Sequence, residues 1–306
     1  MNEDRSSTHL PSIREFKFLL IALRPHQWTK NLVVLAALIF AQKLFHWPSV
    51  IGAIWAFLIF CVVSGAVYLL NDLIDLKKDR LHPVKRSRPI ASGELSKQFS
   101  IFVGLILVFT GFFTAISLDI KFGITVIVYF FVMAAYCLVL KNIVIVDVLV
   151  VAMGFVLRAV AGAFAINVAV SNWLLVCTLL LALFLALSKR RHELTLLLDE
   201  AAEHRSILGE YSSYLLDQMI AVVSASTLVT YGLYASAPET VAKFGTDGLI
   251  WTLPFVLYGI LRYLYLVHRK EKGGSPTLVL LNDKPILVTV TLWAATVITV
   301  IYHGNI

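Results

Sequence analysis

Long apolar runs, each interrupted by a short segment bearing charges, glycine or proline, set the pattern of this chain. A helix needs roughly 20 predominantly apolar residues to cross a bilayer. Nine runs approach that length: 17–40, 50–70, 99–118, 122–140, 143–165, 171–188, 215–236, 248–267 and 284–303. The pattern predicts an all-α polytopic membrane protein with nine transmembrane helices and one transmembrane domain over residues 1–306. Arg24, His26 and Lys30 interrupt the first run, which makes it the least regular of the nine.

Composition supports the same class. Hydrophobic residues make up 59% and charged residues 15% of the 306, and mean hydropathy is +0.83. So little polar surface suits a chain solvated largely by lipid. The opening stretch, MNEDRSSTHLPSIREF, does not have the form of a cleavable signal peptide. Cys61, Cys137 and Cys177 fall in apolar runs without metal-ligand spacing and read as buried small hydrophobes.

Charge orients the spans. Lys and Arg gather before span 1, between spans 2 and 3, and after spans 6 and 8, whereas the opposite face holds only Lys43, Lys121 and Lys243. The positive-inside rule therefore places the N-terminus in the cytoplasm and the C-terminus outside. The net charge of +7 restates this asymmetry, so no nucleic-acid partner is required. Two cytoplasmic segments, 71–98 and 189–214, are too long and polar for simple turns and are expected to cap a site. In the second, Leu194, Leu197, Leu198, Ala201 and Ala202 have helical spacing, as for an amphipathic cap on the membrane or a solvated connection.

The strongest chemical signal is Asn71-Asp72-Leu-Ile-Asp75-Leu-Lys-Lys-Asp79 at the inner end of span 2. On a helix Asn71, Asp75 and Asp79 share a face, with Asp72 beside them. These four side chains suit Mg²⁺ held through a substrate diphosphate, with Asp72, Asp75 and Asp79 as the catalytic carboxylates, since Mg²⁺ takes one or two carboxylates and draws its other ligands from phosphate and water. Lys85, Arg86 and Arg88 follow directly, as phosphate-binding groups or as a topogenic basic loop. Lys30, Lys141 and the mid-span Arg158 are further candidates for the pocket, and an intramembrane Arg demands a cavity or a partner. Asp147, eleven residues from Arg158, is the expected partner if Arg158 is structural. Lys189, Arg190 and Glu193 end span 6, where Lys189 and Glu193 either pair or contact substrate. Tyr211 and Tyr214 read as interfacial anchors, with a sugar contact by Tyr211 as the alternative. Gly154 and Gly162 read as sites of close helix packing.

Asn71 to Asp79 followed by DRLHPVKRSRPIASG resembles the first signature of the UbiA-type membrane prenyltransferases, and LRAVAGA in span 5 also fits. The resemblance implies nine transmembrane helices around a cytoplasm-facing cavity, with Mg²⁺ as cofactor. Typical members carry a second aspartate-rich motif after span 6; this chain has SKRRHEL there, with Asp199, Glu200 and Glu203 beyond it. LRPHQWTKN, AVYLLND, HPVKRSRPIA, AYCLVLK, KRRHEL and YSSYL are more similar to the decaprenyl-phosphate phosphoribosyltransferase branch. That likeness implies a bacterial inner-membrane enzyme with 5-phosphoribosyl 1-diphosphate as donor and a polyprenyl phosphate as acceptor. Its product would be a lipid-linked sugar precursor for the cell envelope. The alternatives are prenyl transfer from prenyl diphosphate to an aromatic acceptor, and an anionic-lipid transporter. A homo-oligomer stays open.

Overall fold

The computed structural model describes residues 13–197, 209–269 and 276–303. Those residues fold into α1 (Ile13–Ala22), α2 (Ala36–Phe40), α3 (Trp47–Ile74), α4 (Leu76–Leu81), α5 (Pro89–Ser92), α6 (Lys97–Leu118) and α7 (Ile120–Leu138). There follow α8 (Val146–Ala165), α9 (Asn172–Leu197), α10 (Ser213–Ser236), α11 (Pro238–Phe244), α12 (Leu253–Arg269), α13 (Pro276–Asn282) and α14 (Lys284–His303). The described residues contain no strand.

Among the described residues eight segments are long and apolar enough to cross a membrane: α3, α6, α7, α8, α9, α10, α12 with the 3₁₀ turn before it, and α14. Their starts follow local chemistry. The side chains of Ser96, Asp119 and Ser212 accept hydrogen bonds from the backbone N–H groups of Phe99, Phe122 and Leu215, which caps α6, α7 and α10. Large apolar side chains such as Phe102, Phe109, Phe113 and Phe131 remain exposed on the outside of the bundle, as lipid-facing positions should.

The first apolar run does not form one α-helix. Arg24 adopts φ 53°, ψ 62° and Pro25 follows it, a pairing that breaks the helix because proline bars the preceding residue from the α region. Residues Pro25–Leu35 then form a 3₁₀ helix that continues into α2. Arg24 is hydrogen-bonded to Asp72 at one end of α3, while the Gln42 side chain donates to the Ile301 carbonyl near the end of α14. Residues 25–40 therefore traverse the bundle. The 3₁₀ rise of about 2.0 Å per residue lets so short a segment cover roughly 30 Å, the thickness of a bilayer's hydrocarbon core. This is the ninth crossing.

A 3₁₀ helix repeats every three residues, and the segment is sorted accordingly. Arg24, Gln27, Lys30, Val33 and Ala36 line a central cavity, Asn31, Val34 and Ala37 are buried against the bundle, and Leu32 is exposed. Contact with α8 is made at Gly162, where an added Cβ would lie 2.0 Å from the Val34 carbonyl oxygen. Gly162→Ala is therefore expected to push the 3₁₀ segment off α8 and lower the melting temperature of the detergent-extracted protein. Gly104→Ala, where a Cβ meets nothing within 4 Å, should leave it unchanged or slightly raised.

Candidate active site

The bundle encloses a cavity of about 1440 Å³, and most of its charged residues collect at the end formed by α4, the start of α8 and the end of α9, with Arg158 deeper and Glu239 and Lys243 contributed by α11. Helical hydrogen bonding runs through the stripe at the end of α3: Asp75 N–H donates to the Asn71 carbonyl at 2.9 Å and Asp79 N–H to the Asp75 carbonyl at 2.8 Å. Asn71, Asp75 and Asp79 consequently all line the cavity. Asp72, one residue out of step, is buried away from it. Its carboxylate accepts from Arg24 at 2.5 Å and from Arg88 at 3.1 Å, and so holds two guanidinium groups at the cavity wall.

The other two carboxylates also meet cations. Lys141 donates to both oxygens of Asp75, at 2.7 and 2.8 Å, and Arg88 donates to Asp79 at 2.7 Å. Lys78 and Lys85 line the same end. Arg86 is exposed and is not part of the wall. Among the described residues no three His, Cys, Asp or Glu side chains converge to cage an ion. Asn71, Asp75 and Asp79 nevertheless suit a hard cation that arrives with phosphate oxygens of its own and needs only one or two carboxylates from the protein.

Across the cavity, Lys189 lies 3.5 Å from Glu193, one helical turn on, and Arg190 is buried. Arg190 binds Asp147 through Nε at 2.7 Å, Glu193 through a terminal nitrogen, and the Tyr136 hydroxyl at 3.2 Å. Asp147 is thus the partner of Arg190. The expected Arg158–Asp147 pair does not form: eleven residues along α8 amount to roughly 16 Å of axial rise, too far for the two side chains to meet. Arg158 instead donates from Nε to the Asn31 side-chain oxygen at 2.8 Å, and from its terminal nitrogens to the Gly154 carbonyl at 2.9 Å and the Tyr129 hydroxyl at 2.7 Å. All three acceptors are neutral. Rings of Tyr129, Phe155 and Phe60 surround the guanidinium at 4.6 to 6.0 Å.

Tyr211 is buried, and its hydroxyl donates to Asp147 at 2.8 Å while accepting from the Ile145 N–H at 2.7 Å. Burial pushes this phenol up to about 12. Ile145 has φ 68°, an uncommon conformation for a β-branched residue, in the turn that carries Lys141 into the cavity. Tyr211 therefore lies behind the wall, joined to Asp147 and the Ile145 turn, whereas Tyr214 is exposed. Asp199, Glu200 and Glu203, with the cap positions Leu198, Ala201 and Ala202, lie outside the described residues.

Arg24, Tyr68, Lys78 and Tyr136 join the wall although sequence reasoning did not place them there. Arg24 sits 5.1 Å from the Tyr68 ring centre. The Arg-Pro step was the signal available, since it breaks the first apolar run at the depth where the acidic stripe begins.

The chain matches the UbiA prenyltransferase family over residues 31–282 and belongs to that family. Among its relatives is a Corynebacterium glutamicum protein called decaprenyl-phosphate phosphoribosyltransferase, 32% identical over 292 residues that cover 93% of this chain and 86% of the relative. A Mycolicibacterium smegmatis protein of the same name is 31% identical over 315 residues, covering 99% and 98%. A UbiA homolog from Archaeoglobus fulgidus, solved with GPP and Mg²⁺, shares the fold at a TM-score of 0.68 and 19% identity, over 93% of this chain and 99% of that one.

Tyr211→Phe removes a donor from Asp147 and leaves the Ile145 N–H without its acceptor. It should cost on the order of 1–3 kcal/mol, read as a lower thermal midpoint in detergent, whereas Tyr214→Phe at its exposed position should not shift it.

Proposed function

We propose that the protein transfers 5-phosphoribosyl from 5-phosphoribosyl 1-diphosphate to a polyprenyl phosphate, releasing diphosphate. One observation supports the reading: the cations that line the cavity fall into two groups, one paired with carboxylates and one not. The first combines the Asn71, Asp75 and Asp79 stripe with Arg88, Lys85 and Lys141. The second, around Lys30 and Arg158, contains cations that form no ion pair with a carboxylate among the described residues. Transfer of a prenyl group to an aromatic acceptor would use only the first group, whereas an activated donor plus a phosphate acceptor uses both. Lys189 and Arg190 stand where a second aspartate motif would and, held by Glu193 and Asp147, offer hydrogen-bond donors to a substrate that bears phosphate at both ends. The names of the corynebacterial and mycobacterial relatives support the same reading.

In the reaction the bond between the anomeric carbon and the diphosphate oxygen breaks, and its electron pair leaves with diphosphate. An oxygen of the lipid phosphate forms the new bond from the opposite side, with inversion. That oxygen is already anionic near neutral pH, so no dedicated base is needed. Asn71, Asp75 and Asp79 would hold Mg²⁺, which supplies Lewis-acid stabilisation of the departing diphosphate. Arg24 and Arg88, aligned by Asp72, together with Lys85, Lys189 and Arg190, donate hydrogen bonds to the donor's phosphates. Lys141 keeps Asp75 oriented until the donor arrives.

The acceptor comes from the bilayer and the donor from the cytoplasm. The charged mouth therefore faces the cytoplasm of a bacterial inner membrane, with the N-terminus inside, the C-terminus outside, and segments 71–98 and 189–214 capping the site. The product would be a lipid-linked sugar precursor for envelope synthesis.

The direct test supplies radiolabelled 5-phosphoribosyl 1-diphosphate and a polyprenyl phosphate to purified protein with Mg²⁺. Label should enter the organic phase, and EDTA should prevent it. No transfer, together with transfer from a prenyl diphosphate to an aromatic acceptor, would replace this reading. Asp75→Asn should abolish turnover in folded protein. Asp72→Asn should lower the melting temperature and raise donor KM, yet leave the Mg²⁺ concentration for half-maximal rate unchanged; an increased Mg²⁺ requirement would make Asp72 a ligand.

A further inference from the structure

We propose that Asn31 is a positioning residue that holds Arg158 without neutralising it, so that the guanidinium remains open to the phosphate of the lipid acceptor. The inference rests on the two-anion reading above and adds a residue that does not itself touch the cavity.

Asn31 is 1% exposed and sits on the buried face of the 3₁₀ crossing. Its amide nitrogen donates to Ser64 Oγ at 3.2 Å and Cys61 Sγ at 3.4 Å, both on α3. Those two acceptors fix the orientation of the amide and turn its oxygen toward Arg158 Nε. One small side chain thus ties the crossing to α3 and α8 together. The Gly154 carbonyl and the Tyr129 hydroxyl complete the polar partners of Arg158.

A guanidinium at this depth normally draws a carboxylate partner, because an uncompensated charge in a membrane interior is costly. Among the described residues none forms an ion pair with Arg158. Its neutral ligands satisfy hydrogen-bonding geometry but leave the net charge standing. The charges that bear most strongly on neighbouring Lys30 are those of Lys189, Arg158 and Arg24, all positive. Among the described residues no carboxylate settles Arg158, and a bound phosphate would supply that charge.

Depth selects which anion. Arg158 lies twelve residues into α8 and bonds back toward Gly154, among Phe60, Tyr129 and Phe155. At about 1.5 Å per residue, its guanidinium sits more than two helical turns below the charged mouth where the acidic stripe ends. A lipid-borne phosphate can reach an aromatic-lined seat below the donor and attack from the side opposite the leaving diphosphate. The free donor's own 5-phosphate is the competing source of the same chemistry, and the test separates the two.

Asp at position 31 is isosteric and keeps the acceptor for Arg158 Nε, but supplies the missing negative charge. Ala removes the acceptor and adds no charge. If Asn31 only positions or packs, Ala should be the more damaging change. If neutrality is its purpose, Asp should be. The assay measures binding of a short polyprenyl monophosphate and of the matching alcohol to protein in detergent, without donor. Wild type should prefer the phosphate; equal binding of phosphate and alcohol would overturn the proposal without any variant. Asn31→Asp should reduce that preference by about tenfold or more, equivalent to about 1.4 kcal/mol, and Asn31→Ala should reduce it less. A larger loss in Ala than in Asp would overturn it. In turnover assays, lipid KM should rise in Asn31→Asp while KM for 5-phosphoribosyl 1-diphosphate holds; a rise confined to donor KM would assign the seat to the donor. Because the binding arm needs no phosphoribosyl transfer, its failure is distinct from failure of the proposed reaction.

Discussion

Ionised groups inside a bilayer must find their partners within the protein, and this constraint organises the cavity. Each carboxylate of the acidic stripe is met by a cation: Asp72 by Arg24 and Arg88, Asp75 by Lys141, Asp79 by Arg88. Across the mouth, Asp147 is met by Arg190 and Tyr211. These pairs join elements distant in sequence, so the charged groups also fasten the helices at the mouth. Arg158 stands apart, with its hydrogen bonds satisfied and its charge uncompensated.

The pairs also bear on how the site would work. Lys141 on Asp75 and Arg88 on Asp79 occupy the oxygens that a metal–diphosphate would use. A diphosphate arriving with its cation supplies both replacements at once: positive charge for the carboxylates and negative charge for the Lys and Arg. Charge balance at the acidic stripe would thus be kept before and after binding, with none of its carboxylates left unpaired.

Much of the fold was legible because lipid-facing helices announce themselves by length and hydrophobicity, and the eight long helices lie close to the runs read from the chain. The stripe Asn71, Asp75, Asp79 was legible for a similar reason, since four-residue spacing survives the α3–α4 junction. Asp72 was harder. Its residue type matched its neighbours, but its position on the helix turned it toward Arg24, which is 48 positions earlier and invisible to local spacing. Arg158 and Asp147 failed as a pair because sharing a helix face does not bring residues within reach across three turns. Tyr211 looked like a surface anchor; only the tertiary fold shows that it braces the Ile145 turn. The first crossing was obscured because its period is three, and reading it as an α-helix scrambles which residues share a face.

That period has a bearing on how the segment can vary among relatives. A one-residue insertion or deletion between Pro25 and Leu35 would rotate everything beyond it by about a third of a turn, trading the faces of Lys30, Asn31 and Leu32. Loops elsewhere absorb length changes freely, but here only steps of three preserve the arrangement. An alignment of this family that places a single gap in this stretch would be matching letters while misassigning the wall of the cavity.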